Sequence, residues 1–185
     1  MKKKVLPVLL ATILLLTCIP LGTITVSAGT QENLDAIIAQ YPDGSRWTGS
    51  FDGGIQCFGF AKMVIYKLFG TYNGSYRGWS YSSASNGMTL IGSTTDFSSS
   101  SIKSLLSSAQ PGDVLQFNTP KQHTMIVYSV ASDGVWIYDC NWDWNCGISL
   151  RKSSFGAWSG RNSTGLILMR AIGSTPSSCN CDTSY

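Results

Sequence analysis

Residues 123–142 read "HTMIVYSVASDGVWIYDCNW", two β-rich runs separated by the turn "ASDG" at 131–134. Both runs are dense in β-branched and aromatic residues, and the Asp-Gly step between them is a short-range hairpin signal. The hairpin is the centre of a larger pattern. "GDVLQFN" precedes it, and "GISLRKS" and "GLILMRAI" follow, each bounded by turn residues. "SFGAWSG" supplies a helical turn before the last strand.

Upstream of Pro111 the character is different. "TQENLDAIIAQYP" (30–42) predicts a short helix stopped by Pro42. In 55–69, Phe58, Ala61, Ile65 and Phe69 recur at helical spacing, with Lys62 and Lys67 marking the outer side and Gly70 ending the helix. "SSSSIKSLLSSAQ" (98–110) reads as a serine-capped helix. Residues 70–97 show no period and read as a loop, with Trp79 among aromatics placed to face a ligand. Helices first and a strand meander second define an α+β class, helices packed on an antiparallel sheet.

The first residues, "MKKKVLPVLLATILLLTCIPLGTITVSAGT", place three lysines before an apolar run and Val26-Ser27-Ala28 after it. This is the layout of a secretory signal peptide over 1–28, cleaved after Ala28. The expected organisation is then 1–28 leader, 29–175 a single domain, and 176–185 a polar tail. The formal charge of +3 resides in Lys2, Lys3 and Lys4. Without them positive and negative side chains balance. No basic field remains to recruit nucleic acid or an anionic membrane, so a neutral, aromatic-bound ligand and a monomer with no membrane insertion after cleavage are expected.

Beyond the leader the cysteines are Cys57, Cys140, Cys146, Cys179 and Cys181. The number is odd, so at least one thiol lacks an intrachain partner. Cys140 and Cys146 bracket "NWDWN" between two strands, and a disulfide is expected to close that loop. Cys179 and Cys181 fall in the tail. Cys57 is left alone in the first turn of a helix, behind the glycine-rich "DGG" (52–54). There the orphan backbone N–H groups and the helix dipole stabilise a thiolate, although a free cysteine on an apolar helix is usually a small buried hydrophobe.

His123, the single histidine, opens the strand "HTMIVYSV". Thiol–imidazole chemistry in this chain has to use it. A histidine base needs an acceptor on its second ring nitrogen. Asp139 and Asn141 share one face of the next strand, with Cys140 on the other. A two-residue Asp133-Gly134 loop would set Trp144 opposite His123, and a four-residue loop would set Trp142 there. Either register brings Asn141 nearer the histidine than Asp139, unless a bulge shifts it. Gln56, beside the cysteine, has a side-chain amide able to donate to an oxyanion together with the Cys57 N–H.

"GGIQCFGFA", "PGDVLQF", "HTMIVYSV" and "IYDCNW" together resemble the CHAP family of cysteine- and histidine-dependent amidohydrolases/peptidases, papain-like enzymes related to NlpC-type cell-wall peptidases. The resemblance spans about residues 50–145. It implies a papain-like fold, Cys57 as nucleophile, His123 as base, Asp139 or Asn141 as orienting group, and Gln56 as oxyanion donor. Asp139 stands where the family usually has glutamate, and Gln122 where glycine often precedes the histidine. The implied activity is hydrolysis of an amide bond in bacterial peptidoglycan, as an N-acetylmuramoyl-L-alanine amidase or a peptide endopeptidase, with Trp79, Trp142 and Trp144 as ligand platforms. No dense carboxylate loop of the calcium-binding kind is present, so neither metal nor other cofactor is expected. Two other readings stay open: a catalytically silent wall-binding module on the same fold, and a papain-like protease or transamidase acting on protein.

Overall fold

The structure, a computed structural model, describes residues 28–52, 54–69 and 88–171. The leader up to residue 27, Gly53, the aromatic stretch with Trp79, and the tail with Cys179 and Cys181 lie outside the described residues. In chain order the elements are α1 (Ala28–Gln40), β1 (Ser50–Phe51), β2 (Gly54–Ile55), α2 (Gln56–Phe69), β3 (Met88–Thr94), α3 (Ser99–Leu106), β4 (Val114–Phe117), β5 (His123–Ala131), β6 (Gly134–Cys140), β7 (Ile148–Ser154) and β8 (Leu166–Ala171). Among them no helix is long and apolar enough to cross a membrane.

The class is α+β, as the segregation of helical and β-rich runs implies. Six antiparallel strands form one sheet in the order β3-β8-β4-β5-β6-β7. The meander runs unbroken from β4 to β7. β8 then returns to the far side of β4, and β3 pairs with it at the edge. Ser98 caps α3 by accepting from the Ser101 N–H, as the serine run anticipates.

Both faces of the sheet are covered. On one, Phe60, Val64 and Leu68 of α2 and Leu34 and Ile37 of α1 pack on Val114, Ile126, Tyr138 and Ile167. On the other, Ile102 and Leu106 of α3 pack with Phe155 and Trp158 on Leu115, Phe117, Val127 and Leu168. This is why β5 is buried at five successive positions, His123 to Val127, rather than at alternate ones.

Two expectations need correction. The stretch 70–97, read as loop, contains β3 at its end; a register shift between Leu90 and Gly92 breaks its alternation. Lys62, read as marking the outer side of α2, is 1% exposed. The α2 core line runs through Phe60, Val64 and Leu68, all fully buried, while Phe58 and Phe69 are half-buried. The turn after β1 lies over the side that periodicity assigns to solvent, and Lys62 Nζ donates there to the Asp52 carbonyl (2.7 Å) and Oδ2 (2.8 Å).

The glycines at this entry have a packing reason. β2 crosses so close to the first turn of α2 that a Cβ on Gly59 would sit 2.2 Å from the Gly54 carbonyl oxygen. The obstacle is backbone, so no side-chain rotation relieves it. Gly59→Ala is expected to cost about 3 kcal/mol of overpacking against about 1 kcal/mol gained in helix propensity. A net loss of about 2 kcal/mol lowers the melting temperature by roughly 4–8 °C. Calorimetry checks this; an unchanged transition would mean that the close approach does not exist.

Candidate active site

Cys57 is brought to the sheet by α2 and His123 by the mouth of β5. The His123 ring and the backbone N–H groups of Thr124 and Phe58 are the polar groups that act on the thiol. His123 is 5% exposed, and its Nε2 lies 2.8 Å from Asp139 Oδ2. With Nε2 so engaged, Nδ1 is the nitrogen left for the thiol.

The hairpin register explains which acceptor His123 meets. Its loop is Ser132-Asp133, so Ala131 pairs with Gly134 rather than Ser132 with Val135. A bulge at Tyr128 then shifts the ladder, Met125 pairs with Asp139, and pairing stops there. Asp139 is thus a diagonal neighbour of His123 on the same face, within side-chain reach. Asn141, expected to lie nearer, turns away. It adopts φ +66°, and its Oδ1 accepts from the Cys146 N–H at 2.8 Å. It shapes the loop after β6 and still lines the cavity over the thiol.

Residues of β7 complete the carboxylate's surroundings. Ser149 Oγ donates to Asp139 Oδ1 (2.5 Å), and Arg151 Nη2 donates to Oδ2 (2.9 Å). Sequence reasoning missed both. The available signal was alternation in "ISLRKS", which puts Ser149 and Arg151 on one face, with Ser149 paired to Asp139.

Electrostatics follow from these contacts. Burial alone would raise the Cys57 pKa, but the hydrogen bond to His123, its charge, and the backbone bonds of Thr124 and Phe58 outweigh it and bring the thiol below its ordinary value. Burial would lower His123; the bonds to Asp139 and Cys57 prevail and raise it. Asp139 is likewise pushed up by burial and pulled lower overall by His123, Arg151 and Ser149. All three shifts run toward the charged forms, thiolate, imidazolium and carboxylate.

A cavity of about 190 Å³ opens over the thiol, lined by Gln56, Cys57, Lys121, Gln122, His123, Asn141, Trp142, Trp144 and Arg161. Gln56 is exposed in it and holds φ +54°, a left-handed conformation unusual for a side-chain-bearing residue and found where function fixes the backbone. Trp144 is 78% exposed at the rim. Trp142 meets His123 edge-on at 5.0 Å and carries the Arg151 guanidinium 4.0 Å above its ring. It also lines a neighbouring cavity of about 420 Å³ with Arg46 and Asp143.

The disulfide expected between Cys140 and Cys146 is absent: both are free thiols, as is Cys57. Cys140 is buried on β6, and its Sγ points at the carbonyl oxygens of Cys146 (3.5 Å) and Trp47 (3.9 Å). The carbonyl of Cys146, not its sulfur, faces Cys140. Burial raises the Cys140 thiol to about 12, which leaves it an inert core residue.

Fold and site define a thiol–imidazole–carboxylate centre at a helix start, set against an antiparallel sheet. No protein-family model matches the chain, and no curated protein matches it. Among solved structures, the chain is similar to the crystal structure of Ly7917 with the hydrolyzing product of MDP, at TM-score 0.47 and 15% identity over 78% of this chain. A second crystal structure of Ly7917 gives TM-score 0.45 and 17% identity over 77%. The match covers 62% of the Ly7917 chain in both cases. At these scores the likeness carries no functional argument.

Proposed function

We propose that this protein is a peptidoglycan hydrolase that cleaves an amide bond by a cysteine–histidine mechanism, acting outside the cell after removal of residues 1–28. The observation that carries the proposal is the Cys57–His123–Asp139 line at the floor of an open cavity. The substrate class comes from the four motifs that resemble CHAP enzymes; Trp142 and Trp144 at the cavity provide aromatic platforms for neutral wall material.

The Cys57 thiolate attacks the amide carbon and forms an S–C bond. The carbonyl electrons move to oxygen, where the Cys57 N–H and the Gln56 side-chain amide donate. The His123 imidazolium gives its proton to the nitrogen as the C–N bond breaks, and the amine leaves. Neutral His123 then takes a proton from water. The hydroxide attacks the thioester, and the acid and the thiolate–imidazolium pair are restored. Asp139, held ionised by Arg151 and Ser149, keeps the ring oriented throughout.

Residues 29–185 are expected to release soluble fragments with new amine termini from purified walls. A protein that only binds walls, the reading that exposed Trp144 also fits, releases none and sinks the proposal. The pH profile is a further check. Activity needs the ion pair, so it rises with pH through the lowered thiol value, below the ordinary 9.0, and falls through the raised histidine value, above the ordinary 6.5. A rate that is still climbing at pH 9 would contradict a lowered thiol.

A further inference from the structure

The cavity over Cys57 has a charge asymmetry that the bond-breaking steps do not use. Among the described residues Lys121, His123 and Arg161 line it, and no carboxylate does. His123 is matched by Asp139, and Arg151 behind it by the same carboxylate. Lys121 and Arg161 form no ion pair among the described residues, in a chain whose charges otherwise balance beyond the leader. Two unmatched cations beside a nucleophile are a standing attraction for an anion.

Arg161 is also built to hold one. Its guanidinium lies 4.4 Å above the Phe117 ring and 4.7 Å above the Trp142 ring. Its Nη2 donates to the Lys121 carbonyl at 3.1 Å. These contacts fix the planar fork, so little side-chain freedom is lost when a ligand arrives. Its Nε is buried with no hydrogen-bond partner. Lys121 is exposed at the rim and adds charge without fixed geometry. Satisfied cations elsewhere look different: Lys62 is closed on Asp52, and Arg170 on Asp113.

The geometry points to an anion subsite, Arg161 with Lys121, that binds a carboxylate of the peptide substrate next to the bond that Cys57 attacks. This inference rests on the proposed peptide-bond chemistry for its choice of ligand, but the subsite has its own readout. Iodoacetate and iodoacetamide both alkylate a thiolate: sulfur displaces iodide from the CH₂ carbon, an S–C bond forms and the C–I bond breaks. They differ in one carboxylate. Their rates at Cys57 in the purified protein, followed by mass spectrometry of the Cys57 peptide, give a ratio in which the thiol's own reactivity cancels.

Arg161→Met is expected to lower the iodoacetate-to-iodoacetamide ratio about three- to tenfold, the range of a lost charge-assisted contact at a half-exposed site. Lys121→Gln, at an exposed position where folding is not at risk, lowers it about twofold. Arg161→Lys keeps the charge but loses the stacked fork, and retains only part of the ratio. Ratios unchanged in both Arg161→Met and Lys121→Gln overturn the subsite. Stem peptides amidated at either the chain end or the internal carboxylate then tell which carboxylate is read, through a raised KM with little change in kcat. Walls cleaved with an unmoved alkylation ratio refute the subsite alone. A moved ratio with intact walls refutes the wall substrate and keeps the subsite.

Discussion

Cys57→Ser lowers fragment release from walls by at least about 10³-fold while the fold persists, because nucleophile and base act as one unit. The substitution replaces sulfur with oxygen in a half-buried position, removes no packing volume of consequence, and leaves His123 its partner Asp139. It changes the nucleophile's acidity. A serine hydroxyl cannot be ionised by the contacts from His123, Thr124 and Phe58 that bring the thiol down, since it starts far higher. Circular dichroism and melting temperature should match the parent protein. Loss of activity with an intact fold is the expected pair of results. Fragment release at the parent rate would remove Cys57 from the chemistry, and with it the mechanism. The buried Cys140 gives a control of the opposite kind: its raised thiol is not expected to react with alkylating reagents in the folded protein.

The sequence makes Cys57 and His123 legible for reasons that are local. A cysteine at a helix start and a lone histidine at a strand mouth are visible in the order of residues, and the strand runs from β4 to β8 are each marked by turn residues. What is not legible is set by long-range pairing. β8 lies between β3 and β4, a neighbour relation that no local pattern encodes. β3 hides in a Gly-, Ser- and Thr-rich stretch whose alternation is broken by a register shift at Leu90 and Gly92. Lys62 looks like a solvent residue until Asp52 is folded over it. Arg161 sits in "SGRNSTG", a turn with no pattern at all, and only tertiary folding puts its guanidinium on Phe117 and Trp142. The choice between Asp139 and Asn141 depends on a bulge at Tyr128, which brings both to the face of His123, and on the left-handed turn at Asn141, which takes that side chain away to the Cys146 N–H. One residue of shift in a ladder changes which side chain stands diagonal to the histidine.

That bulge gives the second large prediction. Asp139→Asn is expected to lower the rate of wall hydrolysis by about 10²–10⁴-fold, the range seen when a carboxylate behind a catalytic histidine loses its charge. Two effects combine. The amide cannot stabilise the imidazolium, so the His123 pKa falls, and the alkaline limb of the pH profile moves to lower pH. Its NH₂ can also face Nε2 and impose the wrong tautomer. Asn141→Ala, in contrast, removes an acceptor for the Cys146 N–H and should change the rate only a few-fold, through the loop. Stability provides the separation between structure and catalysis. Asp139 is 1% exposed and also partners Arg151, so neutralising it strands a cation at a cost of about 3 kcal/mol. Removing that cation as well, in Asp139→Asn with Arg151→Met, should recover much of the lost stability, because the two positions are directly coupled. It should recover none of the activity. Recovery of both together would make Asp139 a purely structural residue, and would return the orienting role to Asn141.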